Sequence, residues 1–257
     1  MKQTIQTGLA AIRAYSRNLT NRKNEAETPF LAAMIQPDDI CLHIGATDGR
    51  HSYAMAQVLK KGSGHIYAFE PSIITYPVLK IVLRMHRLGE TVSPARLAFS
   101  DSPGMAVLNV PVKKSGRYGN AFGFLSEKST GRSDVNLSDV ISFEVETTTI
   151  DHIVDTQTKR VDFIRMDIEG SEQAALSGGW ATIKKNKPHL LIEIHPTLLK
   201  EQFGGDPNKI YQDFKALSYA IYHLDENNQL VESGDMDIAP WKDCFLIHPD
   251  RPHSLPI

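Results

Sequence analysis

From residue 38 onward, short apolar runs rich in β-branched residues alternate with segments whose apolar residues recur at helical spacing. This alternation is typical of parallel strands joined by crossover helices. Strands are predicted at residues 40–44, 65–69, 92–98, 163–167, 190–195, 220–224 and 244–248. Helices are predicted at residues 51–61, 72–88, 171–186 and 206–218. The pattern therefore predicts an α/β fold with a doubly wound, mostly parallel sheet.

Two parts of the main domain, residues 38–257, depart from this alternation. Residues 105–112 and 142–148 look like strands with no helix between them, and a long polar, glycine-bearing segment separates them. We interpret residues 105–148 as a lid-like insertion, since long loops without periodicity are uncommon in compact domains. The final two strand-like runs are separated only by turn residues, which predicts a C-terminal antiparallel hairpin.

The first 37 residues are predicted to form a helical extension of the main domain. Ile5, Leu9, Ile12 and Leu19 fall on one helical face. Such a face either packs on the main domain, which is the simpler interpretation, or pairs with a second copy in a homo-oligomer.

Composition narrows the range of partners. The chain has 257 residues, 41% of them hydrophobic, and a formal net charge of −2, so neither nucleic acid nor a membrane is an expected partner. Cys41 and Cys244 stand in apolar runs, as buried thiols in a reducing compartment do. No apolar run is long enough to cross a bilayer, and the N-terminus lacks a leader-like apolar core. We expect a cytoplasmic protein that acts on a small molecule.

The first predicted strand ends in the loop GATDG, residues 45–49. Its third position is Thr47, whereas the dinucleotide fingerprint requires glycine there, so a pyrophosphate is disfavoured. Glu70 ends the next strand, 21 residues after Gly49 (70 − 49). A carboxylate at that position can accept hydrogen bonds from both hydroxyls of a ribose. Ser100 and Asp101 end the third strand, where they could bind an adenine amino group or simply form a turn.

Carboxylates and a histidine cluster after the fourth and fifth main strands. Asp167 and Glu169 follow the fourth strand, with Glu172 beginning the next helix, and acidic residues in a first turn are also common as helix caps. Glu193 and His195 are two residues apart in the fifth strand and therefore face the same side. Our hypothesis makes His195 a general base, with Asp167 and Glu193 in positioning roles. The same set could instead hold Mg²⁺ or Mn²⁺ through Asp167, Glu169 and His195.

Five blocks of the sequence resemble the FkbM-type methyltransferases, enzymes that depend on S-adenosylmethionine and are best known for O-methylation. The blocks are CLHIGATDGRHS, IYAFEPSIITYPVLK, ARLAFSDSPG, TTTIDHIV and VDFIRMDIEGSEQAALSGG, followed by KPHLLIEIHP. The resemblance covers about residues 38 to 197 and implies a seven-stranded, Rossmann-like sheet with a reversed last strand. His43 stands where the family usually has an aspartate, and Arg165 where it often has a lysine.

The resemblance implies methylation of a hydroxyl on a small molecule or a sugar. Taken together with the strand-end analysis, the residues predicted to bind the cofactor are His43, Gly45, Ala46, Asp48, Gly49, Ser52, Glu70, Pro71, Ser100, Asp101 and Asp167, and our hypothesis of catalytic roles covers Asp167, Glu169, Glu193 and His195. Two other interpretations remain open: a nicotinamide-dependent oxidoreductase on the same kind of sheet, and a non-catalytic nucleoside-binding protein in which His43 marks a decayed cofactor site.

Overall fold

The structure is a computed structural model that describes residues 2–20, 25–112, 124–125, 139–236 and 242–257. Its helices are α1 (Lys2–Thr20), α2 (Thr28–Met34), α3 (Arg50–Leu59), α4 (Thr75–Met85), α5 (Ile150–Ile153), α6 (Glu172–Ser177), α7 (Trp180–Asn186), α8 (Pro196–Phe203) and α9 (Pro207–Ala216), with a π-helical turn at Val154–Thr158. Its strands are β1 (Ile40–Ile44), β2 (His65–Phe69), β3 (Val92–Ala95), β4 (Ala98–Phe99), β5 (Gly104–Val112), β6 (Phe124–Leu125), β7 (Asp139–Thr148), β8 (Phe163–Met166), β9 (His189–Ile194), β10 (Ala220–Leu224), β11 (Leu230–Glu232) and β12 (Lys242–Ile247).

The main sheet has eight strands in the order β11-β10-β12-β9-β8-β1-β2-β3. The five strands from β9 to β3 are mutually parallel, whereas β12 is antiparallel to both β9 and β10. This arrangement confirms the predicted mostly parallel sheet with a reversed last strand. The reversed strand lies between β9 and β10, and the short edge strand β11 adds an eighth member to the predicted seven.

The predicted strand at 92–98 is wrong at its end. Strand β3 stops at Ala95, and Ala98 and Phe99 pair with β7 in a second sheet of order β4-β7-β5-β6. Strands β5 and β7 form the long hairpin of that sheet, so the two strand-like runs of the predicted insertion are confirmed as strands. Most of the segment between them, residues 113–123 and 126–138, lies outside the described residues, so its role as a lid stays a prediction.

The helix predicted at 171–186 is two helices, because Gly178 and Gly179 interrupt it. A Cβ on Gly178 would lie 2.4 Å from the carbonyl oxygen of Ser100, so the close approach of these backbones requires glycine. Helices α2 and α8 are among those that were not predicted individually. Each has a proline at its first or second position, a helix-start signal that a search for apolar periodicity alone overlooks.

Each face of the main sheet packs against a separate apolar layer. One layer contains Leu42 and Ile164 and lies against α6 and α9, and the other contains Cys41 and Phe163 and lies against α2, α3 and α4. Alternate residues of β1 and β8 therefore face opposite layers, as the pleat requires. On the outside, α1 packs through Ala11 and Ala14 against α4. Among the helices of the described ranges, none has the length and apolar character needed to cross a bilayer.

We expect the substitution Phe214→Ala to lower the free energy of unfolding by about 3–5 kcal/mol, because it empties a large buried site. Phe214 is fully buried, and its ring lies 5.1 Å from those of Trp180 and Tyr219. Met105, which is 65% exposed, provides the control, and Met105→Ala should change stability by no more than about 0.5 kcal/mol. Urea denaturation measures both. Equal losses in the two variants would contradict this account of the core.

Candidate active site

The loop after β1 is held directly against the end of β2. The backbone N–H groups of Gly45 and Ala46 both donate to the carbonyl oxygen of Phe69, at 3.0 and 2.8 Å. Gly45 adopts a φ of +83°, and a Cβ there would lie 1.9 Å from the carbonyl oxygen of Asp167. Only glycine fits this position, because the loop passes between two strand ends. Gly49 also has a φ of +83° and immediately precedes α3.

Glu70 connects this loop to the segment after β2. Its carboxylate accepts the N–H of Thr47 on one oxygen and the N–H of Ser72 on the other, both at 2.9 Å. Burial raises the pKa of Glu70 to about 7, although the two N–H groups oppose the shift. Each carboxylate oxygen has a second lone pair, so the group can accept further hydrogen bonds from a ligand.

A cleft with an empty volume of about 690 Å³ opens beside Glu70. The cleft lies at the carboxyl ends of β1, β2 and β8, which is where open α/β sheets bind their ligands. Its lining residues are Ile44, Gly45, Thr47, Glu70, Pro71, Ser72, Leu97, Ala98, Phe99, Leu108, Val110, Leu125, Asp167, Ile168 and Glu169.

The cleft has an apolar wall and a polar wall. The apolar wall comes from the second sheet and from the residues that lead into it, including Phe99, Leu108 and Val110. The polar wall comes from the ends of β2 and β8, including Glu70 and Asp167. A ligand with one flat apolar part and one hydroxylated or charged part therefore matches the cleft.

The structure brings only some of the predicted site residues to this cleft. Those that line it are Gly45, Glu70, Pro71, Asp167 and Glu169. Ser100 and Asp101 lie outside the lining: the Ser100 N–H donates to the Thr148 carbonyl, and Asp101 is exposed. Glu193 and His195 also lie outside the lining, at the end of the adjacent strand β9.

His43 and Ser52 lie buried beneath the loop and are not part of the cleft lining. His43 Nδ1 is 2.7 Å from the Ser52 hydroxyl, and burial lowers the pKa of His43 well below its usual value. Ala46 is buried in the apolar layer against α3. Asp48 forms an ion pair with Arg17 of α1, which ties the N-terminal helix to the loop. These residues shape and anchor the loop.

Arg165 occupies the centre of a buried charged cluster beside the cleft. Its guanidinium donates to Asp243 of β12 at 2.8 Å and lies 3.5 Å from Asp167 and 3.7 Å from Glu193 of β9. Burial lowers the pKa of Arg165, but Asp243, Asp167 and Glu193 outweigh it and keep that pKa above its usual value. Burial and the charges of Asp167 and Asp243 raise the pKa of Glu193 to about 10, so this carboxyl is protonated at neutral pH.

The group of described residues best placed to hold a cation is not the one predicted from the sequence. His51 Nε2 lies 2.8 Å from a carboxylate oxygen of Glu27 and 3.2 Å from one of Glu25, and these three side chains could together ligate a metal ion. Burial lowers the pKa of His51, but hydrogen bonds to Glu25 and Glu27 raise it overall. A protonated His51 therefore satisfies both carboxylates as an ion pair without a metal.

Several residues of this site were missed by sequence reasoning. Thr47 was considered only as a departure from a glycine pattern, yet it donates to Glu70 and lines the cleft. The apolar wall was not predicted, because residues 97–99 follow the preceding residues in a pattern that predicts a single strand. An available signal was Arg165 within the apolar run VDFIRMD, because a charge in a buried strand requires partners. Asp243 in WKDCFLI gives the same signal.

Glu172 supports the loop that carries Asp167 and Glu169 into the cleft. One of its oxygens accepts the N–H groups of Gly170 at 3.1 Å and Ile168 at 3.3 Å, so Glu172 holds the loop that precedes α6 and does not cap the helix. Among the described residues, its other oxygen is buried without a hydrogen-bond partner. Glu169 itself has a φ of +54°, a backbone conformation that is unusual for a side-chain-bearing residue and is found preferentially at functional sites.

We expect Glu172→Gln to stabilise the protein progressively, relative to the wild type, as pH rises from about 4.5 to 7. Burial raises the pKa of Glu172 from 4.5 to about 7, so the folded state retains its proton while the unfolded state loses it. The contribution of Glu172 to stability is therefore highest below pH 4.5 and falls until pH 7, by roughly 3 kcal/mol, whereas the glutamine variant keeps the acceptor without this loss. Urea denaturation across this range, with the exposed Glu226→Gln as control, measures the difference. A pH-independent difference would contradict the assignment.

Comparison with known proteins agrees with the fold. Residues 43–226 match the family model described as the methyltransferase FkbM domain, which covers most of the chain. No curated protein matches the chain at a significant level.

Three solved structures illustrate the similarity. A methyltransferase FkbM from Methylobacillus flagellatus KT is 18% identical with a TM-score of 0.52, and the match covers 83% of this chain but only 44% of that one. A putative rRNA-methylase from Clostridium thermocellum is 9% identical with a TM-score of 0.48, over 86% of this chain and 92% of the other. A SAM-dependent O-methyltransferase from Thermotoga maritima is 11% identical with a TM-score of 0.45, over 93% and 73%. At such identities the likeness to the first structure shows the fold alone. The family match extends over the strands that build the cleft. The chain belongs to the FkbM methyltransferase family, whose membership implies S-adenosylmethionine as methyl donor.

Proposed function

We propose that the protein transfers the methyl group of S-adenosylmethionine to a hydroxyl of a small molecule or a sugar. The observation that carries the proposal is the cleft itself, with Glu70 and Asp167 on its polar wall and Phe99, Leu108 and Val110 on its apolar wall. This combination suits a nucleoside on one side and a polar reacting centre on the other.

The residues present fit the cofactor. The Glu70 carboxylate is held in place by Thr47 and Ser72, and its remaining lone pairs can accept both ribose hydroxyls. The apolar wall then faces the adenine ring, and the glycine at position 45 lets the backbone approach the ligand closely. When bound, S-adenosylmethionine supplies a methyl group on a positively charged sulfur, which is already reactive toward an oxygen nucleophile.

Asp167 is the residue that we propose accepts the proton of the substrate hydroxyl. Of the predicted catalytic carboxylates and histidine, only Asp167 and Glu169 line the cleft. Burial raises the pKa of Asp167 while Arg165 opposes that shift, and a raised pKa suits a general base that works near neutral pH. Because its raised pKa keeps Glu193 protonated at neutral pH, Glu193 adds no second negative charge beside Asp167.

His195, which we proposed from the sequence as the general base, is less suited to that role than Asp167. His195 Nδ1 accepts the N–H of Leu198 at 3.4 Å, as the cap of α8. In the neutral ring the proton then lies on Nε2, so the basic lone pair of His195 is directed at the helix. We therefore assign His195 a positioning role.

Titration calorimetry tests cofactor binding. We expect S-adenosylmethionine and S-adenosylhomocysteine to bind, and Glu70→Ala to weaken both by roughly 10- to 150-fold, because it removes charge-assisted hydrogen bonds of about 1.5–3 kcal/mol. The exposed Glu226→Ala should change neither affinity. Preferential binding of a nicotinamide dinucleotide would favour the oxidoreductase instead, and failure of both sulfur ligands to bind would contradict the proposal.

Two asparagine variants separate the candidate bases. We expect Asp167→Asn to lower the turnover of a hydroxylated acceptor by about 10²–10⁴-fold, the usual contribution of a general base, with cofactor affinity within a few-fold of wild type. His195→Asn should leave turnover nearly unchanged, because asparagine is also a good helix cap. Methyl transfer from labelled S-adenosylmethionine to a panel of small-molecule and sugar hydroxyls supplies the readout. The reverse ranking of the two variants would return the role of base to His195.

A further inference from the structure

One face of α1 exposes a stripe of large apolar side chains. Ile5, Leu9, Ile12 and Leu19 are 58%, 49%, 56% and 54% exposed, and they account for four of the nine large apolar side chains exposed in the described part of the chain. Their spacing of four, three and seven residues places them along a single side of the helix. Burial against the protein does not explain these residues.

The opposite side of α1 is the one that packs on the rest of the protein. Ala11 and Ala14 are buried against Val78 and Val82 of α4. The helix is also tied down at its C-terminal end, where Arg17 pairs with Asp48 of the loop beside the cleft. The fold therefore fixes which face of α1 points outward, and that face carries the stripe.

The charge of this segment differs from that of the whole chain. Residues 1–24 contain five lysines and arginines and no aspartate or glutamate, whereas the complete chain has a formal net charge of −2. Arg13 is exposed and stands four residues after Leu9, so it lies beside the stripe. An apolar stripe flanked by basic residues, without any acidic residue, is the pattern of helices that lie in the interface of an anionic membrane.

We propose that the outward face of α1 docks the protein on an anionic lipid surface. The stripe would enter the boundary between headgroups and acyl chains, while Arg13 contacts lipid phosphates. The net charge of the chain led us to expect no membrane partner. That net charge averages a basic N-terminal segment with an acidic remainder, so the proposal reverses the expectation. The Arg17–Asp48 ion pair places the docked helix next to the loop that forms the cleft.

A second copy of the chain is a weaker candidate for this face. In a symmetric antiparallel pair of α1 helices, residues near the middle of the helix lie beside their own counterparts, so Arg13 of one copy meets Arg13 of the other. The segment offers no acidic side chain to compensate this repulsion.

Vesicle co-sedimentation tests the proposal with the full chain. We expect the protein to bind vesicles that contain phosphatidylglycerol and phosphatidylcholine but not vesicles of phosphatidylcholine alone, with binding that weakens as salt is added. The double variant Leu9→Ser/Ile12→Ser should reduce the bound fraction by at least about tenfold, and Arg13→Glu by a similar factor. The matched controls are Ile141→Ser, on the exposed side of β7, and Lys184→Glu, on the exposed side of α7.

Every substituted side chain is exposed, and circular dichroism can confirm that each variant folds. A loss of vesicle binding can therefore be distinguished from a loss of folding. Loss of binding in the α1 variants with retention in both controls supports the proposal. No binding to phosphatidylglycerol vesicles, or equal binding by wild type and the α1 variants, would overturn it. Sedimentation equilibrium that shows a wild-type dimer dissociated by Leu9→Ser/Ile12→Ser would also overturn it, since the stripe would then be covered by a second copy.

Discussion

The position of Arg165 is the constraint around which the charged part of the site is organised. A guanidinium that is only 1% exposed must be surrounded by acceptors, and its neighbours come from β8 itself and from two other strands, β9 and β12. Because these carboxylates share one buried cation, they cannot all be ionised at low cost. The protein resolves this by keeping Glu193 protonated while Asp243 pairs with the guanidinium. Asp167 is thereby left facing the cleft.

The second constraint is steric and concerns the loop after β1. The loop after β1 passes so close to the carbonyl of Asp167 that position 45 has no room for a side chain. The same loop supplies the Thr47 N–H that fixes Glu70. Glu70 and Asp167, on the polar wall of the cleft, are therefore connected through a single loop, and the backbone conformation of that loop sets the distance between them.

The sequence predicted the main sheet well because its strands are buried on both faces and read as apolar runs with helical segments between them. It also predicted that Glu70 lies at the end of the second strand, because the residues between Gly49 and that strand end can be counted in the sequence. It failed at Ala98 and Phe99, where the chain moves from one sheet to another after only Arg96 and Leu97, too short a connection to predict as a break between strands. It also failed for the pairing of Arg165 with Asp243, which are 78 residues apart and meet only because β12 inserts antiparallel between β9 and β10. Such long-range pairings depend on topology, which local patterns do not encode.

The central claim is that the cleft between the two sheets binds the nucleoside of S-adenosylmethionine through Glu70. A crystal structure of the protein with S-adenosylhomocysteine tests it most directly. We predict both ribose hydroxyls at about 3 Å from the Glu70 carboxylate, with the adenine ring against Phe99 and Val110. Density for the ligand elsewhere on the protein, or a ribose that makes no contact with Glu70, would contradict the account.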